Sequence, residues 1–224
     1  MKKEEAMKKE LLRKPVAVML CTLCLCLVLA VPVSGATIID EWGAVVTPAA
    51  PQLKEIKLPA ATTALLLLDF NKQICNDKQR PRCVSSVPAV SRLLGEARKA
   101  NILVVYSHTM GSSSADIAPA LAPRPGDPIV ISGPDKFLGT ELEKILKERN
   151  IKTVIVTGTA AHGAVICTAS GAALRGIKVV IPVDGISAES LYPEQYTVWH
   201  LLNAPRISTM STVTKTDMIQ IGIK

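Results

Sequence analysis

From residue 61 onward, short apolar runs alternate with longer amphipathic stretches. TTALLLLDF is apolar up to Asp69, the pattern of a strand buried on both faces of a parallel sheet. Pro88 to Asn101 places Val90, Leu93, Leu94 and Ala97 on one face of a helix, and Ile102 to His108 reads as the next strand. Thr109 to Pro128 is rich in Ser, Pro and Gly, and its length suits a binding lid. IVI (Ile129–Ile131) is a short strand and GPDKF a turn; Thr140 and Glu143 then form a T-x-x-E capping box. The helix it opens carries Leu142, Ile145 and Leu146 inward. TVIVTG is a strand and Val165 to Arg175 a helix that Gly176 stops. KVVIPVDG is a strand ending on Asp184; Glu194 to Asn203 is the last sizeable helix and ISTMSTV the last strand. This alternation predicts an α/β fold: a doubly wound, mostly parallel sheet of about six strands with helices on both faces. Sites in such folds lie beyond the carboxyl ends of the strands, so Asp69, His108, the GPDK turn, the corner GTAAHGA and Asp184 are expected to converge.

The chain's first part belongs to another category. Six basic and three acidic residues precede VAVMLCTLCLCLVLAV, which has no charge and is followed by VSGA. A basic start, a short apolar core and small residues describe a secretory signal peptide over residues 1–35. The core is short for a membrane span, so the membrane enters only through an uncleaved leader. Residues 36–60 read as an extended strap and residues 61–224 as one domain. The leader carries three of the seven net positive charges, leaving +4 scattered with few aromatics, which excludes a nucleic-acid footprint. The expected address is periplasmic or secreted.

Export changes the reading of cysteine. In an oxidising compartment Cys75 and Cys83, eight residues apart in the polar loop CNDKQRPRC, suit a local disulfide; two free thiols are the alternative. Cys167 is then the odd one, either buried or reactive. CxxC spacing is absent from the mature region and only His108, His162 and His200 offer imidazole, so neither a metal nor a cofactor is expected.

Asp69 ends an apolar run, and a carboxylate in low dielectric is prepared for acid–base work. The bland alternative is a helix-capping or Arg-paired carboxylate. Lys136 is the cation best placed to meet it, unless it is a turn lysine in solvent. His162 sits in a strand-to-helix corner whose backbone N–H groups could hold an oxyanion, its alternative being an imidazole bonded to a carbonyl.

The order of these parts resembles the isochorismatase-like (cysteine hydrolase) superfamily, over nearly all of the mature chain. LLLLDF is similar to that family's first strand and puts Asp69 at the position of its catalytic Asp. FLGTELEKIL resembles its F-x-x-T-x-L-x-x-x-L helix entry, and Thr168, Ala169, Ala172 and Gly176 its T-A-x-x-A-x-x-x-G pattern. The family usually carries an Asp–Lys–Cys triad. Counted back from Gly176, its cysteine falls at Ala164, which has no nucleophile and contributes only a backbone amide. The Ala161-His162 dipeptide is similar to the branch that hydrolyses a vinyl ether without a covalent intermediate. The family's usual lysine falls at Ile131, so Lys136 replaces it only by entering from the turn. Cys167, one turn deeper than Ala164, reads as a small buried side chain.

The resemblance implies an exported hydrolase acting on a small molecule, with Asp69 moving the proton and Lys136 tuning it. Thr159, Ala160, Ala161, His162 and Gly163 would hold the substrate, with His108 beside them and a cis peptide near Thr159–Ala160. A homo-oligomer, most simply a dimer, is implied too. Loss of the cysteine leaves a second reading open, a catalytically inactive small-molecule-binding or assembly protein. A third, a thiol hydrolase using Cys167, needs a different helix register.

Overall fold

The computed structural model describes residues 35–222, so the signal-peptide reading falls almost wholly outside the described residues. They divide into a unit ending at Ala49 and a unit from Ala50. The first holds a single helical turn, Trp42–Ala44, preceded by Asp40 accepting from the Thr37 amide and hydroxyl. In the described residues no helix is long and apolar enough to cross a membrane.

The second unit contains β1 (Ile56–Pro59), β2 (Thr63–Leu68), α1 (Pro81–Lys99), β3 (Leu103–His108), β4 (Ile129–Ile131) and α2 (Leu142–Glu148). It continues with β5 (Thr153–Thr159), α3 (Ile166–Leu174), β6 (Lys178–Pro182), β7 (Ile186–Ser187), α4 (Leu191–Asn203), β8 (Ser211–Thr214) and β9 (Ile219–Gly222). Seven strands form the main sheet in the order β4-β3-β2-β5-β6-β8, with β7 beside β5, and every pairing in it is parallel. β1 and β9 pair separately, so the end of the strap is a strand and a last strand follows the one expected.

The sheet is doubly wound because the chain reverses direction between β2 and β5. Crossovers run outward through β3 and β4 on one side and through β6 and β8 on the other. Leu65, Leu67, Val104 and Ile155 pack with Val90, Leu93, Leu94 and Ala97 of α1 on one face. Leu66, Leu68, Val154 and Val156 pack with Leu142, Leu146, Ala169 and Leu201 on the other. At the reversal, Leu68 is in register with Gly158. Gly158 has φ +145°, and a Cβ there would meet the backbone oxygen of Leu68 and sit 2.6 Å from its Cβ. Gly158→Ala is therefore expected to destabilise the fold by about 2–3 kcal/mol, the range of overpacking with backbone strain, read from chemical denaturation.

Three local expectations are corrected. α1 begins at Pro81 and not Pro88; Pro81 occupies the first helical turn, where its missing N–H costs nothing, and Pro88 lies inside the helix. The capping box does not form: the Thr140 hydroxyl donates to the Lys136 carbonyl at 2.5 Å, and Glu143 pairs with Lys147 and Arg175. The 109–128 segment is fastened down. Ile117 and Leu121 are buried, the Ala118 amide donates to Phe70 O, and Lys72 pairs with Asp116 at 2.9 Å.

Candidate active site

Asp69 leaves β2 at the reversal point with φ +56°, a left-handed conformation that Asp and Asn adopt more readily than most residues. Its amide donates to the Ser107 carbonyl at 3.1 Å, which ties the turn to the end of β3. Its carboxylate is buried and held on both oxygens. Ser107 Oγ donates to Oδ1 at 2.7 Å, and Lys136 Nζ donates to Oδ2 at 2.8 Å.

Lys136 is fully buried, so the solvent alternative is excluded. The turn after β4 is built to deliver it. Its amide donates to Thr168 Oγ1 of α3 at 3.2 Å, its carbonyl accepts from Thr140, and its ammonium also donates to the Ser132 carbonyl at 3.3 Å. Ile131, on the edge strand, is half exposed. The ammonium thus reaches the Asp69 carboxylate from the turn.

Across the reversal point lies the corner. The peptide between Thr159 and Ala160 is cis. Ala161–Val165 forms one π-helical turn before α3, and the amides of Gly163 and Val165 both donate to the Ala160 carbonyl, at 3.0 and 3.2 Å. Those two donors are taken up within the turn. Ala164, to which the resemblance assigns the family's cysteine position, is buried. His162 is partly exposed, its Nε2 3.5 Å from Glu189 Oε1. Thr159 is buried, its hydroxyl donating to the Ser187 carbonyl at 3.1 Å and accepting from Arg80 Nη1 at 3.4 Å.

Not every residue at a strand end joins this site. Asp184 is turned away, both its oxygens bound by the Thr216 amide and hydroxyl at 2.9 and 2.8 Å. His108 is buried, with Nδ1 3.2 Å from both Thr109 O and Ser112 Oγ, so its imidazole is engaged by the loop it opens. Cys167 is half-buried where a buried side chain was expected. Burial and the Asp135 charge push its thiol up, so it stays protonated at neutral pH and is a poor nucleophile. Cys75 and Cys83 are bridged, which holds the loop between β2 and α1 closed. Arg80 in that loop was not singled out from sequence. The one available signal was its place between two cysteines.

An isochorismatase domain model matches residues 63–216. The chain is similar to an uncharacterised isochorismatase family protein, YecD, of Escherichia coli O157:H7, 28% identical over 183 residues that cover 70% of this chain and 96% of the relative. Among solved structures it is similar to an isochorismatase-like hydrolase from Alkaliphilus metalliredigens, with a TM-score of 0.63 and 24% identity over 70% of this chain and 95% of that one. A cysteine hydrolase from Pseudomonas syringae pv. phaseolicola gives a TM-score of 0.64 and 20% identity, over 75% and 95% of the two chains.

Proposed function

Because this chain belongs to the isochorismatase family, we propose that it is a hydrolase working on a small molecule by acid–base chemistry without a covalent intermediate. The observation that carries this reading is the buried contact of 2.8 Å between Lys136 Nζ and Asp69 Oδ2, together with an Ala164 that offers no nucleophile. A buried ion pair adds little net stability compared with apolar packing, so its presence at the carboxyl end of the central strand favours a chemical role. Ser107 fixes one carboxylate oxygen and Lys136 the other, leaving the remaining lone pairs of Asp69 to face the reacting atom.

In this mechanism Asp69 carries the proton between an attacking water and the leaving atom. Lys136 compensates the charge on the carboxylate as the proton moves. Negative charge developing on the substrate is met by backbone donors of the corner from Ala160 to Ala164 other than Gly163. Export is part of the proposal, supported by the leader sequence and by a disulfide of the kind that persists in oxidising compartments.

The test is turnover of a panel of vinyl ethers, amides and esters before and after treatment with iodoacetamide. Turnover of at least one class, unchanged by alkylation and by Cys167→Ser, is the expected result. Labelling of Cys167 should be slow at pH 7 and speed up as pH rises, because only the thiolate reacts. Activity lost in Cys167→Ser sinks the non-covalent assignment.

A further inference from the structure

The loop between the bridged Cys75 and Cys83 brings two arginines toward the carboxyl edge of the sheet, and they differ in how they are bound. Arg82 is held by a two-point pair: its Nε donates to Glu194 Oε1 at 2.7 Å, its Nη2 contacts Glu194 Oε2, and Glu194 Oε1 also accepts the Ala188 amide at 2.9 Å. Arg80 is not. A guanidinium has five N–H donors, yet Arg80 makes one side-chain hydrogen bond, to Thr159 at 3.4 Å, and one loose ion pair, Nε to Glu189 Oε2 at 3.8 Å. Charge-assisted bonds normally close to about 2.7–2.9 Å. Glu189 is about half exposed, and its other oxygen lies at a similarly long 3.5 Å from His162.

Beside Arg80 lies an orphan. Ser187 is buried, and its hydroxyl has no hydrogen-bond partner among the described residues. Such a group calls for an explanation, because an unmade buried bond is costly. Ser187 is in register with Thr159, the residue Arg80 touches. Thr159 is one step beyond Gly158, the register partner of Leu68, and Asp69 is one step beyond Leu68, so both lie at the carboxyl ends of the paired strands β2 and β5. Arg80 immediately precedes α1 on one face of the sheet, while Lys136 is bonded to α3 on the other. The two cations approach the same edge from opposite faces.

From this we propose that Arg80 and the Ser187 hydroxyl form a carboxylate-binding subsite next to the acid–base pair, and that the substrates are small carboxylic acids. Glu189 is the resident occupant: its own carboxylate, weakly held between Arg80 and His162, swings outward when a substrate carboxylate takes the seat. The reactive group of the substrate then lies toward Asp69. This inference rests on the hydrolase reading for its last step, but the subsite itself is defined by binding.

Three matched pairs test it by calorimetry and thermal shift on the purified chain: acetate against acetamide, pyruvate against pyruvamide, and benzoate against benzamide. At least one acid should bind the wild type more tightly than its amide. Arg80→Gln should weaken that acid by about tenfold or more, as loss of a hydrogen bond to a charged group does, without weakening the amide. Glu189→Gln should tighten the acid by removing its competitor. Arg82→Gln should lower the melting temperature while keeping the preference for acid over amide. Asp69→Asn should keep that preference too, so failure of the chemistry and failure of the subsite are read separately. No preference for any acid in the wild type, or a preference that survives Arg80→Gln, overturns the proposal.

Discussion

Asp69→Asn is expected to lower turnover by about 10²–10⁴-fold, the usual contribution of a positioned general acid or base. The substitution is conformationally mild. Asn has the same shape and tolerates the φ of +56° that Asp69 adopts. An amide oxygen can still accept from Ser107 Oγ or Lys136 Nζ, and the ammonium keeps the Ser132 carbonyl at 3.3 Å. What the amide cannot do is take up and release a proton. Circular dichroism at the assay temperature establishes that the variant is folded, which separates lost chemistry from lost structure. Asp69→Glu is the companion variant: it keeps the charge but moves the carboxylate by one methylene, and it should also be strongly impaired because proton transfer depends on hydrogen-bond reach. Turnover that survives Asp69→Asn rules out the acid–base role. A wild type with no turnover across the panel, but stabilised by ligand, favours the reading of the chain as a binding protein.

How much of this was legible in the sequence differs from residue to residue. The strands are buried on both faces, so LLLLDF and TVIVTG announce themselves as apolar runs, and with them the strand end that places Asp69. Lys136 was legible as the nearest cation on a turn, though not as a buried one. Its burial depends on Thr168 and Thr140, which lie 32 and 4 residues away and leave no periodic signal. Local codes misled where two were possible: Pro88 and Pro81 both suit a first helical turn, and only the packing of Cys83 and Ser86 decides for Pro81. Thr140 and Glu143 have capping-box spacing, but Thr140 Oγ1 accepts the Leu142 amide and donates to Lys136 O, and Glu143 turns to Arg175. Asp184 ends its strand as Asp69 does, and differs only in meeting Thr216, a contact set by the far end of the chain. Arg80 and Ser187 were missed for the same reason, since their contacts with Thr159 are made across 79 and 28 residues.

Lys136→Met should destabilise the protein by about 3–5 kcal/mol, the cost of removing one partner of a buried ion pair. Lys136 is fully buried, and Asp69 is only 4% exposed, so water cannot replace the ammonium. The methionine fills most of the volume of the lysine stem, which keeps cavity formation a minor contribution. The carboxylate left behind would retain Ser107 Oγ as its side-chain donor. Urea unfolding gives the value, provided the slope with denaturant matches that of the wild type. The decisive comparison is the same substitution made in Asp69→Asn. With no carboxylate to strand, Lys136→Met should then cost much less, and the difference between the two backgrounds is the coupling of the pair. A cost that is equal in both backgrounds would assign Lys136 to packing of the turn, with the 2.8 Å contact to Asp69 incidental. A large coupling together with lost turnover in Lys136→Met would instead tie stability and chemistry to one contact. That is the arrangement expected where a fold keeps a costly buried charge pair because its reaction needs it.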